Sequence, residues 1–277
     1  MNPAHLIMNA ERTHLDWFPG WLIRNRQTSL LTHKKIHTAK PLTTGQMLTG
    51  MDPLPSGSVL LGRCQDGLLL LMALTDPEIG AILISGDAGS GKTLHIQVIV
   101  DSAIRTHRPE NLQVMVLTHQ PDEWDLFFEN KRSRGYFKSC HAWYDHRAEE
   151  VLQSLFDLAK RRLDVHDSGG LILLVLDDFN FVESLDYQAQ FQLHWLLTYG
   201  VQSNIWPIAA INAGQASRYR FWIETFRTRI IGRIRSDAYL NHTLFKDEIG
   251  MKTLEPATFR VRSGRDWTTY QIPLLGD

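Results

Sequence analysis

The residues Gly86-Asp87-Ala88-Gly89-Ser90-Gly91-Lys92-Thr93 have the types and spacing of a phosphate-holding loop, G-x-x-x-x-G-K-[ST]. Its glycines let successive backbone N–H groups turn toward anionic oxygens with no Cβ in the way. A helix starting at this point adds its positive N-terminal end. Lys92 then has the reach to meet β- and γ-phosphates, and the Thr93 hydroxyl is a hard ligand suited to magnesium. The chemistry implied is the binding of ATP with Mg2+. A second group of oxygens is needed, and the apolar run from Leu171 to Leu176 ends in Asp177-Asp178. Asp177 is expected to hold Mg2+, directly or through water, and Asp178 to polarise an attacking water as general base. The same pair has the residue type that caps a following helix, and the loop upstream favours the catalytic role. Asn212, closing the run Ile208-Ala209-Ala210-Ile211, is the candidate for sensing a γ-phosphate.

These groups must be brought to one place by strands and helices. Apolar strand candidates cover 81–85, 112–118, 171–176, 207–211 and 229–234, with helical patterns over 93–105 and 148–163 between them. In the second helix Ala148, Val151, Leu152, Leu155, Ala159 and Leu163 recur at helical spacing, while Glu149, Glu150, Lys160 and Arg161 face away. Near-continuous apolar strands alternating with helices indicate a mainly parallel central sheet covered on both faces, an α/β fold. Residues 258–262 and 267–272, around Ser263-Gly264-Arg265-Asp266, read as a C-terminal β-hairpin. At least one strand, 112–118, falls between the loop strand and the acidic strand. That insertion marks the RecA-like branch of P-loop NTPases, which often runs as oligomeric motors.

Residues 1–58 differ from the rest, with an aromatic–proline knot at Trp17, Phe18, Pro19, Gly20 and Trp21 and a Pro- and Gly-punctuated stretch at 51–58. They are expected to form an N-terminal arm or appendage, and 59–277 the nucleotide-binding domain. The composition is that of a globular chain: 43% hydrophobic, 21% charged and a net charge of −1, which excludes a uniformly basic nucleic-acid binder. No apolar run reaches the roughly 18 residues of a membrane span, and no leader pattern stands at the N-terminus. Two cysteines, Cys64 and Cys140, argue against a disulfide framework and point to a reducing cytoplasm. Twelve histidines offer no metal motif, since Cys140, His141 and His146 are too loosely spaced for zinc. Basic residues gather at Lys131-Arg132-Ser133-Arg134 and at Arg218, Arg220, Arg227, Arg229, Arg233 and Arg235.

In the order and spacing of these parts the sequence resembles the FtsK/HerA family of DNA-pumping ATPases. The resemblance is carried by Leu61-Gly62-Arg63 to Gly67, by Gly89-Ser90-Gly91-Lys92-Thr93, and by the long helix ending at Arg161-Arg162. It continues through Leu196-Leu197, Gly200 and Asn204-Ile205 into the Asn212 strand, then Thr228-Arg229-Ile230 and Ser236-Asp237. It implies a homo-oligomer, usually a hexameric ring, with ATP between subunits. An arginine from one subunit would complete its neighbour's site; Arg229 leads by position, with Arg218 and Arg233 behind it. The resemblance also implies double-stranded DNA as cargo, met through its phosphates by basic loops such as Lys131, Arg132 and Arg134, and a possible companion nuclease or adaptor. The chain departs from the family in three places: Asp177-Asp178 for Asp-Glu, Asn212 for a glutamine, and Asp237-Ala238-Tyr239 for Asp-Ser-Arg. An Asp-Asp pair also fits secretion-type ATPases acting on protein. A third expectation is a nucleotide-binding switch or assembly module with little hydrolysis.

Overall fold

The computed structural model describes residues 15–17, 22–25, 42–49, 57–167, 169–235, 254–263 and 266–277. Of the sequence expectations, residues 18–21, most of the stretch 51–58, the turn residues Gly264 and Arg265, and Ser236 to Tyr239 lie outside them.

A single 12-stranded sheet carries the chain. Its strands are β1 (Leu15–Trp17), β2 (Leu22–Asn25), β3 (Ser58–Cys64), β4 (Leu69–Ala73), β5 (Ile82–Gly86), β6 (Leu112–Thr118), β7 (Phe137–Ala142), β8 (Leu171–Asp177), β9 (Ile205–Asn212), β10 (Thr228–Ile231), β11 (Thr258–Ser263) and β12 (Asp266–Gln271). Across the sheet they run β1-β2-β4-β3-β12-β11-β10-β5-β9-β8-β6-β7. From β10 to β7 every pairing is parallel. From β10 outward through β11, β12, β3, β4 and β2 to β1 every pairing is antiparallel. The expected parallel sheet and C-terminal hairpin are both present, and the hairpin joins the parallel strands to an antiparallel extension.

The helices are α1 (Thr44–Leu48), α2 (Lys92–Thr106), α3 (Asp125–Glu129), α4 (Arg147–Asp164), α5 (Tyr187–Tyr199) and α6 (Arg220–Ile223). Every residue of β5 and β8 is buried, because helices cover both faces of the parallel strands. On one face α2 contributes Ile96, Ile99, Val100 and Ala103, packed with Ile84, Val175 and the hairpin residues Phe259, Val261 and Tyr270. On the other, Leu152, Leu155 and Ala159 of α4 and Leu193, Leu196 and Leu197 of α5 pack against Leu83, Leu174 and Leu176. The polarity of α4, with Glu149 and Glu150 in its first turn and Arg161 and Arg162 in its last, complements the helix dipole.

The described parts of residues 1–58 join this sheet. Leu22 to Asn25 of β2 pair with Met72 to Leu69 of β4, and Thr44 N–H donates to Leu274 O at 2.8 Å, holding α1 against the C-terminal segment.

Candidate functional site

Parallel strands end on the same side of the sheet, so the loops after β5, β8, β9 and β6 meet at one edge, where open α/β sheets bind ligands. In the register of β5 and β9, Gly86 stands opposite Asn212, and in that of β6 and β8, Thr118 stands opposite Asp177.

The loop after β5 needs its glycines. A Cβ on Gly86 would stand 2.6 Å from the Ser90 hydroxyl, and Gly89 and Gly91 hold φ of 71° and 96°, left-handed values that other residues rarely adopt. Gly91 is the N-cap of α2 and supplies no side-chain oxygen to the first turn. The free N–H groups there and the helix dipole form an anion cradle. Asp87 fixes the outer side of the loop: its N–H donates to Arg233 O at 2.9 Å and its carboxylate accepts from Arg235 N–H at 2.8 Å. Ala88 and Gly89 lie exposed at the crest. The hairpin braces the inner side, with Ala257 N–H donating to Ser90 O at 3.1 Å.

Four of the expected side chains converge here. Lys92 Nζ donates to Gly86 O at 3.2 Å, Asp87 O at 2.9 Å and Asn212 Oδ1 at 3.1 Å. Burial lowers its pKa, opposed by the charges of Asp177, Asp178 and Asp87. Thr93 Oγ1 donates to Asp177 Oδ1 at 3.1 Å. Burial raises the Asp177 carboxyl to about 6, while the Thr93 hydrogen bond favours its charged form. A hydroxyl and a buried carboxylate meeting beside an anion cradle fit Mg2+, a hard cation that keeps several waters and takes few protein oxygens.

Asp178 stands next to this group, close enough for its charge to act on Lys92. It also performs the alternative role of capping: at φ 74° it accepts from Asn180 N–H at 3.3 Å and starts the short helical turn Phe179–Glu183. One pair of residues thus divides two roles, Asp177 toward Thr93 and Asp178 partly toward its own backbone.

The arginine candidates are not gathered at this chain's loop by their side chains. Arg229, on β10, donates from Nη2 to Ile223 O at 3.2 Å. Arg218 is exposed and pairs with Glu183 at 2.5 Å. Arg233 meets the loop through its backbone carbonyl, and its Nε is buried without a hydrogen-bond partner. Lys131, Arg132 and Arg134 lie exposed just before β7, at the end of the sheet opposite the phosphate loop, and Arg132 pairs with Asp277 at 3.5 Å.

Sequence reasoning passed over the turn Pro121–Trp124 after β6. Gln97 Nε2 donates to Glu123 O at 2.7 Å, and Trp124 is fully buried. The signal was present as an Asp-Glu-Trp run just beyond an apolar strand, but nothing local told which side of the sheet it would cover.

No protein-family model and no curated protein matches this sequence. Solved structures do match in fold. ATPases 2 and 3 of EssC from Geobacillus thermodenitrificans superpose with a TM-score of 0.65 at 14% identity, over 82% of this chain and 49% of that one. ATPases 2 and 3 of EccC, the type VII secretion ATPase of Thermomonospora curvata, in complex with a signal sequence peptide, match with a TM-score of 0.60 at 16% identity, over 82% and 43%. The genome packaging NTPase B204 from Sulfolobus turreted icosahedral virus 2 matches with a TM-score of 0.51 at 13% identity, over 71% and 99%. The chain spans about half or less of the EssC and EccC chains. These likenesses show the fold, a RecA-like P-loop NTPase domain.

Proposed function

We propose that this chain is an ATP-hydrolysing motor domain that works as a homo-oligomer and moves a polypeptide cargo. The observation that carries the ATPase reading is the convergence of Lys92, Thr93, Asp177 and Asn212 around the glycine loop. In this reading the loop N–H groups and Lys92 hold the phosphates, Thr93 and Asp177 hold Mg2+, and Asn212 reports the γ-phosphate through its bond to Lys92. Mg2+ would neutralise charge on the phosphates and help orient them. Asp178 orients the attacking water. Arg229 is the leading candidate to complete a neighbour's site across a hexameric ring, as the FtsK/HerA resemblance implies. The exposed aromatic residues Tyr187, Phe191 and Tyr199 of α5, beside Phe221, support burial of that surface against a second copy of the chain.

The polypeptide cargo is supported by the likeness to EssC and EccC, one of them bound to a signal sequence peptide, and a cytoplasmic setting accompanies it. Double-stranded DNA is the second reading, supported by the likeness to a genome packaging NTPase and by exposed Lys131 and Arg134; a nuclease or adaptor would then be a natural companion.

Sizing the full chain with a slowly hydrolysed ATP analogue and Mg2+, then with duplex DNA, tests the proposal. The expected result is a nucleotide-dependent oligomer that leaves DNA free. Retention of DNA by the oligomer transfers the cargo reading to DNA, and a monomer under all conditions overturns the oligomeric motor.

A further inference from the structure

We infer that Glu123 is a second catalytic carboxylate of the hydrolytic centre, delivered to the γ-phosphate side of the loop by the turn after β6; the inference rests on the ATPase reading above. The turn begins where β6 ends beside the acidic strand, since Thr118 is the register partner of Asp177. Thr118 Oγ1 accepts from Gln120 N–H at 3.1 Å, and Pro121–Trp124 then closes a single 3-10 turn with Glu123 N–H donating to Gln120 O at 3.2 Å.

Two anchors fix its depth. Gln97 lies one helical turn beyond Thr93 and is itself buried, and its amide holds Glu123 O at 2.7 Å. The turn is therefore tied to the same stripe of α2 that offers the Thr93 hydroxyl. Trp124 is the second anchor, with no exposed surface and ring contacts to Phe127 and Phe137 at 5.6 and 6.3 Å. Its indole lies beside the Asp177 carboxylate.

Glu123 differs from its buried neighbours. Its side chain is exposed and makes no hydrogen bond or ion pair with a described residue, and it lies near enough to Asp177 for the two charges to interact. Asp178, by contrast, spends hydrogen-bonding capacity on Asn180 N–H. Like charges that repel at rest become favourable once a divalent cation sits among them. In the step assigned to Glu123, its carboxylate takes a proton from water as the water oxygen bonds to the γ-phosphorus. The bond from that phosphorus to the β–γ bridging oxygen breaks, leaving ADP and inorganic phosphate, and the proton passes on to solvent. A glutamate reaching in from the neighbouring strand offsets the methylene missing at Asp178.

The test uses the full chain, measuring phosphate release from Mg-ATP and, separately, the affinity for a non-hydrolysed analogue with Mg2+. Glu123→Gln is expected to lower kcat by about 10²-fold or more with KM and analogue affinity within about twofold of wild type. An unchanged thermal midpoint confirms that the variant folds. Wild-type kcat in Glu123→Gln, or a loss of analogue affinity matching the loss of turnover, overturns the inference while leaving the ATPase reading intact. Lys92→Ala separates the two: wild-type turnover that this variant retains, or no turnover in the wild type, overturns the ATPase reading and the inference with it.

Discussion

Between β10 and β7 all strands point the same way, and the ends of β8 and β9 and the segment after β10 arrive at the phosphate loop. Between β11 and β1 directions alternate, so successive turns fall at opposite ends of the sheet and no comparable convergence arises. In the antiparallel half β3 and β4 are buried on two faces as well: Leu61, Leu70 and Met72 join the α2 side, and Leu60, Leu69 and Leu71 pack with Met47 of α1 on the other. Burial alone therefore does not make a site. Direction does, because chemistry that needs a lysine, a threonine, two aspartates and an asparagine draws them from three separate connections. The antiparallel half acts as a brace, touching the loop where Ala257 bonds Ser90.

The largest expected contrast comes from single substitutions on the two sides. Lys92→Ala removes a cation that meets two loop carbonyls and Asn212, and should lower ATP turnover by at least about 10²–10³-fold with little change in thermal midpoint. Gly62→Ala lies on β3 outside the phosphate loop, where a Cβ would approach Gln271 O to 2.3 Å and the Tyr270 ring to 2.9 Å. That overlap should cost about 1–3 kcal/mol and lower the midpoint by several degrees, with nucleotide affinity of the folded protein nearly unchanged. Calorimetry with and without Mg-nucleotide measures both. If Gly62→Ala abolishes turnover as Lys92→Ala does, the hairpin is part of the catalytic apparatus and the division between halves fails.

The same division governed what could be read in advance. The loop, Asp177 and the strand 112–118 were legible because motif and apolar run are local, and β6 matches that range residue for residue. Strand β7, Phe-Lys-Ser-Cys-His-Ala, was not, since it is half-exposed and lacks an apolar run. The apolar run at 68–74 is absent from the strands expected from sequence, and it contains β4, whose partners β2 and β3 flank it on either side in the sheet. Pairing over such distances leaves no periodic trace in the residues that make it. Asn212 was readable from its strand end, whereas the turn holding Glu123 and Trp124 was not, because the contact to Gln97 joins two elements 26 positions apart.

A smaller effect sharpens the comparison through pH. Asp177 on one side of α2 and His95 facing the hairpin are both buried, and burial moves them to about 6 and about 3. His95 packs on Phe259 at 4.5 Å, and its Nε2 lies 3.4 Å from the Tyr270 hydroxyl. For His95 the folded value is depressed below 6.5, so its stability is full above 6.5 and is lost as pH falls toward 3. For Asp177 the folded value is raised above 3.8, so stability is full below 3.8 and is lost as pH rises toward 6. In the overlapping window the two slopes oppose, and without nucleotide or Mg2+ the wild type should change little in stability between pH 4 and 6 on their account. Asp177→Asn removes only the second slope. Its urea midpoint, compared with that of wild type across this window, should fall more steeply on acidification, by on the order of 1–2 kcal/mol in total. Parallel curves would mean that the Asp177 carboxyl is already charged in the nucleotide-free fold, held so by Thr93 and by the indole of Trp124 against the pull of burial.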